Sequence, residues 1–251
     1  LAFIQKIQTS FQDFKKLQQN DFNLDRLDIT GVYFNIKKYT NEEVHSLKVL
    51  VDKLKRESES RNKAILNVGQ VDLSKAKFSY NDLNTGRKPI LVDSLDISAE
   101  YLNFTADSLT LQLNTLEGKL QSPFQKQIKT NAAVVYSPGS LHLEEWSLSF
   151  DKSRINGALS LKGEGNSFRN FNDRGHFELN LERSLIDPSL LGNSPLLSAD
   201  SSLISAKLKA QGDLDAFEVQ GIEIKHKEFD LQADLGMQNI LNPKIATWQL
   251  E

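Results

Sequence analysis

A chain of 251 residues with 30 basic and 33 acidic side chains, a formal charge of -3 and no cysteine excludes disulfide staples, thiolate metal sites and cysteine nucleophiles together. The charge is spread evenly, with neither a basic footprint for nucleic acid nor an acidic tail. The length allows one large β domain or two smaller ones, and no run approaches the roughly 18 to 20 apolar residues that span a bilayer.

The chain opens at Leu1 in mid-pattern, without a methionine or a signal-peptide pattern, and ends inside an alternating run at Trp248 to Glu251. It reads as a segment cut from something longer. The first residues fit two patterns: Ile4, Ile7, Phe11, Phe14 and Leu17 at helical spacing, or a strand over Phe3 to Phe11 leading into a short helix, which is favoured. Phe22 to Ile36 reads as strand-turn-strand. Thr40 to Glu43 is a Thr-x-x-Glu capping box, and Val44, Leu47, Val51 and Leu54 follow at three- and four-residue spacing. Together they predict an amphipathic helix over 41–58, within an entry region of residues 1–63.

From residue 64 to 251 the dominant signal is alternation with a period of two, which places apolar side chains on one face of a strand and polar ones on the other. It runs through Val71-x-Leu73, Ala76-x-Phe78-x-Tyr80, Leu95-x-Ile97-x-Ala99-x-Tyr101, Leu109-x-Leu111-x-Leu113 and Ala132-x-Val134-x-Tyr136. It continues through Trp146-x-Leu148-x-Phe150, Phe177-x-Leu179-x-Leu181, Ile204-x-Ala206-x-Leu208-x-Ala210, Ile222-x-Ile224 and Phe229-x-Leu231-x-Ala233. Turn residues separate the runs at Asn84-Thr85-Gly86, Ser137-Pro138-Gly139, Gly163 to Asn166 and Gln211-Gly212-Asp213. The spacing predicts a mainly β fold, a meander of antiparallel strands. The phase of alternation slips between Leu73 and Ala76 and between Leu143 and Trp146, which requires a turn or a bulge. Asp187 as N-cap, Pro188 in the first turn and Gly192 as stop predict a second, short helix.

Catalytic chemistry is hard to assemble from what remains. His45, His142, His176 and His226 stand at no ligand spacing. Glu144 and Glu145, adjacent on a strand, should face opposite ways and not cooperate. Asp213-x-Asp215 begins like a calcium loop but lacks its later positions, so a turn is the better reading. Gly163-x-Gly165 has no phosphate loop around it and reads as a hairpin. No enzyme activity, cofactor or metal is expected.

Three patterns in order carry a resemblance. The first is Phe22-x-Leu24-x2-Leu27-x-Ile29-x-Gly31 through Ile36, followed by Ser46-Leu47-x2-Leu50. The second is Leu66-x-Val68-x2-Val71-x-Leu73-x2-Ala76-x-Phe78-x-Tyr80-x-Asp82, and the third is Gly212-Asp-Leu-x2-Phe217-x-Val219-x2-Ile222-x-Ile224 with Leu231-x-Ala233-x-Leu235. Over most of its length the chain resembles the AsmA-like superfamily and, within it, TamB-type translocation and assembly proteins of Bacteroidetes. The membrane anchor and C-terminal domain of that family are not matched. Asp93-Ser94-Leu95 and Asp107-Ser108-Leu109 look like the O-glycosylation triplet of Bacteroidetes envelope proteins.

The resemblance implies a long antiparallel sheet curled into an open groove, apolar inside, with one or two short helices. It implies a periplasmic segment of an inner-membrane-anchored protein that shields phospholipid acyl chains between two membranes, with an outer-membrane barrel of the TamA type as partner. Val71, Phe78, Leu95, Ile97, Tyr101, Leu111, Val134, Leu148, Leu179, Leu208, Ile222 and Leu231 are the candidate positions for core or groove lining. Two rivals need different surfaces: an assembly factor holding outer-membrane β-strands needs a free sheet edge, and a guest-free sandwich needs a second sheet over the apolar face.

Overall fold

A computed structural model describes residues 2–11, 21–42, 46, 65–105, 107–122, 125–168, 171–188, 202–227, 229–239 and 246–251. The described chain is nearly all strand: β1 (Ala2–Phe11), β2 (Asp21–Lys38), β3 (Ile65–Asp82), β4 (Ile90–Phe104), β5 (Leu109–Ser122), β6 (Lys126–Ser137), β7 (Ser140–Phe150), β8 (Ser153–Lys162), β9 (His176–Ile186), β10 (Ile204–Asp213), β11 (Phe217–His226), β12 (Phe229–Gln238) and β13 (Thr247–Leu250). Neighbours in the sheet are neighbours in sequence, β1 through β13. One pair departs from the antiparallel expectation. β2 and β3 run parallel along their whole length, which requires a crossover between Lys38 and Ile65. The pairing crosses the boundary expected at 63/64; the chain forms two compact units, residues 1–129 and 130–251.

In the first unit the register lines up apolar side chains in rows. Ile7 faces Ile29, Ile29 faces Leu73, Leu73 faces Ile97 and Ile97 faces Leu116, a row five strands wide. Leu27, Val71, Ala99 and Leu113 form a second row, and Phe34, Phe78, Val92 and Leu120 a third. Alternation puts Arg26, Gln70, Glu100 and Gln112, themselves aligned, on the opposite face.

The rows survive only because the strands are interrupted. Gly31, Lys75 and Ser94 take left-handed backbone at φ 68, 54 and 51 where the phase of β2, β3 and β4 slips. Each insertion returns the next apolar residue to the same face: Val32 after Ile29, Ala76 after Leu73, Leu95 after Val92. The slip at Leu73/Ala76 is therefore a bulge, and Phe22 to Ile36 lies within one 18-residue strand, Asp21–Lys38, without a reversal. Core packing is tightest beside these bulges, where Val32, Ala76, Val92 and Leu95 are buried and Ile29, Leu73, Phe78 and Ile97 pack against them. Small residues make the room. Ala76 is 0% exposed, and a Cβ on Gly118 would stand 2.8 Å from Cγ1 of Val92.

The second unit repeats the plan over more strands. Leu143, Leu159, Leu179, Ala210, Val219, Leu235 and Leu250 are paired in succession from β7 to β13. Leu141, Leu161, Phe177, Gly212, Phe217, Met237 and Trp248 make the adjacent row. Bulge residues Glu145, Arg183 and Gly221, at φ 48, 38 and 57, reset the phase on alternate strands β7, β9 and β11.

The hairpin expected at Gly163-x-Gly165 is wider than that. β8 and β9 pair antiparallel, Lys162 opposite His176, but their connection holds a 3-10 turn, Glu164–Asn166, and a one-turn helix α1, Phe171–Arg174. Phe168 stacks on Tyr136 with ring centroids 6.5 Å apart and packs on Phe171 at 5.7 Å.

The expected 41–58 helix does not start at 41. Glu42 N–H donates to the Tyr39 carbonyl at 3.0 Å and Asn41 is left-handed at φ 64, so the capping box opens on a turn. Ser46 is helical; residues 43–45 and 47–64 lie outside the described set. So do residues 12–20, where a short helix was expected after the β1 strand, and 189–192, which carry most of the second predicted helix.

Overfilling the tight point should be felt throughout the first unit. Ala76→Leu is expected to cost about 1–3 kcal/mol by forcing Val92 and Leu95 off their rotamers, measured as a lower denaturation midpoint with an unchanged slope. An unchanged midpoint would show that the bulge line is not close-packed.

Candidate functional site

The feature that stands out is the apolar face itself. Its row residues are mostly half-buried, and no second sheet is present among the described residues to lie over it. Full burial is confined to a few positions, many of them small: Ala76, Ala99, Ala132, Ala206 and Ala210 are each below 9% exposed under larger neighbours.

Side chains from adjacent strands hold the bulges that keep this face continuous. A bulge takes a backbone group off the ladder, and an unpaired group is costly when buried. Asp96 accepts from the Lys75 N–H at 2.9 Å and Asp234 from the Gly221 N–H at 2.6 Å. Asn131 Nδ2 donates to the Glu145 carbonyl at 3.3 Å, and the Asn156 N–H donates to Ser184 Oγ, next to Arg183, at 3.1 Å. In each case the clamp is a short Asp, Asn or Ser side chain. The bulge at Glu145 also removes the simple alternation expected of Glu144 and Glu145; both are exposed.

The other face is a lattice of polar side chains. Arg26 bridges Asp28 and Asp72 at 2.9 Å each, Lys77 meets Asp93 at 3.2 Å and Lys207 meets Glu223 at 2.9 Å. An amide ladder runs from Asn23 through Asn67 to Asn103. The hydrogen bond from Lys207, then its charge and that of Lys225, hold the Glu223 carboxyl below the usual glutamate range. Two clefts of the second unit, each ≈ 340 Å³, open among these polar groups, one beside His142, Ser160, Glu178 and Gln211 and the other beside Asn131, Glu145, Asn156 and Glu182. Leu143, Leu159, Leu179 and Ala210 also line the first of them.

Val71, Phe78, Ile97 and Leu179 stand in the rows. Phe78, Leu95 and Ile97 meet in the first unit's packed cluster. Val71 pairs with Leu27 and Ala99, and Leu111 keeps the phase of Leu109 and Leu113. Leu148 pairs with Ile155, Leu179 with Leu159 and Ala210, Leu208 with Leu181, and Ile222 with Ala233. Val134 is half-buried on β6, and Leu231 pairs with Ile224 but is 45% exposed. Tyr101 is the exception. It is itself a bulge residue at φ 54, 74% exposed, and Leu102 takes its place opposite Val68. The alternation Ala99-x-Tyr101 gives no warning of this; the apolar Leu102 directly after it does. The buried alanines were passed over because residue size hides their position between long neighbours.

Among the described residues no three His, Asp or Glu side chains converge as a metal site would need. Asp213 Oδ1 accepts from the N–H groups of Asp215 and Ala216 at 2.9 and 2.7 Å, closing the β10–β11 turn. The two Asp-Ser-Leu serines differ: Ser94 is exposed on its bulge, whereas Ser108 is half-buried with its hydroxyl 2.7 Å from that of Thr105. Comparison with protein-family models, curated proteins and solved structures returns no match.

The Lys207–Glu223 contact makes a checkable titration. A carboxyl whose folded pKa is depressed stabilises the fold above its unfolded pKa, and that contribution is lost as pH falls through the folded value. NMR titration of Glu223 should give a pKa below the ordinary glutamate value of about 4.3 that rises in Lys207→Gln and in high salt. No change in either condition would mean that the pair is not formed in solution.

Proposed function

We propose that this chain is a periplasmic segment of a TamB-like, AsmA-superfamily bridge whose apolar sheet face shields phospholipid acyl chains on their way between the inner and outer membranes. The observation that carries this is the breadth of an uncovered apolar face. The second unit's face is roughly 29 Å wide across seven paired strands at about 4.8 Å per strand and roughly 33 Å long along 10-residue strands such as β8 and β10 at about 3.3 Å per residue, and the tails of one bilayer leaflet need only about 15 Å. An apolar surface well beyond a few hundred Å² marks a binding face. Acyl chains suit it because they gain roughly 25 cal/mol per Å² of area covered and require no polar complementarity from the rows. The role needs no covalent chemistry, and a TamA-type outer-membrane barrel remains the proposed partner of the longer protein. A strand-holding assembly role draws instead on the sheet edge, where β1 exposes Phe3 and Ile7.

The test is phospholipid co-purification from bacterial envelope, read by native mass spectrometry. Leu159→Glu with Leu179→Glu, in the middle of the second unit's row, should abolish bound lipid, while Ser160→Glu on the polar face keeps it. Loss in neither variant, or no lipid in the wild type even after reconstitution, refutes the lipid reading and favours strand holding.

A further inference from the structure

The two margins of the second unit's apolar face are chemically unequal. At one margin, where β6 and β8 end and β9 and β11 begin, Tyr136, Phe168, Phe171, Phe177 and Phe217 gather, with Trp248 in the same row. Phe177 and Phe217 meet edge to face at 5.6 Å. The opposite strand ends present mainly aliphatic side chains, Leu148, Ile155, Ile186, Ile204 and Ile224, with Phe150 among them.

Aromatic rings with a polar edge settle where hydrocarbon meets water, which is why they belt membrane proteins at headgroup level. The aromatic margin has the matching polar shell just outside it. In the β8–β9 connection Arg174 holds Glu164 with hydrogen bonds of 3.0 and 2.9 Å. Exposed pairs of opposite charge are cheap to exchange. A phosphate can take Arg174 while an ammonium takes Glu164, which suits a headgroup carrying both charges.

Resting on the lipid reading above, we propose that the aromatic margin is where the headgroup of a zwitterionic glycerophospholipid sits, its acyl chains running along the strands toward the aliphatic margin. The guest then has one orientation across the face. Trp248 lies in the margin row, and Trp146, paired with Gly157, lies two rows further in along β7, roughly 13 Å deeper at about 3.3 Å per residue.

These are the chain's two tryptophans, so each can report alone in Trp146→Phe or Trp248→Phe. The probes are phosphatidylcholine with a nitroxide on the headgroup and phosphatidylcholine brominated near the chain ends, supplied from vesicles to the whole chain. The headgroup nitroxide should quench Trp248 severalfold more than Trp146, and the brominated chains should reverse that order. Equal quenching, or headgroup quenching stronger at Trp146, overturns the orientation while leaving lipid binding intact. No quenching of either tryptophan by either lipid overturns the orientation and the lipid reading together.

Discussion

The structure depends on one constraint: every strand must keep its apolar side chains on a single face over lengths of up to 18 residues. A side-chain period of two tolerates no slip, since one inserted residue exchanges the faces. The chain inserts residues nonetheless, and aligned insertions at Gly31, Lys75 and Ser94 resume the phase on the same side in three neighbouring strands. Bulges bend a strand and increase its twist, so aligned bulges give the first unit a line along which its rows lean together. Val32, Ala76 and Leu95 are buried at that line.

The same constraint explains the clamps. An insertion that recurs across strands leaves recurring backbone groups off the ladder, and Asp96, Asp234, Asn131 and Ser184 answer them from the next strand or the next residue. Polar side chains are thereby spent on the bulges and on the outer lattice, while the rows stay free of charge. A face built this way has shape and apolarity but no fixed polar contacts, which suits a guest defined by surface area. In the second unit the margins of the face differ, aromatic at one and aliphatic at the other, and a guest with a polar end would be oriented by that difference.

Much of this was legible in the sequence. Alternation located the strands from Leu66 to Met237, and the phase slips at Leu73/Ala76 and Leu143/Trp146 marked two of the bulges, because period is a local property that survives without knowledge of partners. The parallel β2–β3 pair was not legible: strand direction is set by the crossover, and hydrophobic spacing is the same either way. The turn expected between Phe22 and Ile36 is a bulge at Gly31, since a left-handed glycine serves turns and bulges alike. Thr40 to Glu43 has the residues of a capping box, but Thr40 and Asn41 lie in a turn closed by the Glu42 N–H, since Asn41 also tolerates positive φ. At the candidate site, Tyr101 was misplaced by extending alternation through a bulge, and the buried alanines carry no signal beyond their neighbours.

The central claim is that the apolar face is open to solvent until lipid covers it, and the absence of cysteine makes this directly measurable. Leu179→Cys in the row and Glu178→Cys on the polar face should both react rapidly with a maleimide in the lipid-free chain. Phosphatidylcholine should then protect Leu179→Cys and leave Glu178→Cys unchanged. A Leu179→Cys thiol already shielded without lipid would show that protein covers the face, and one that lipid fails to protect would show that the face is not where lipid binds.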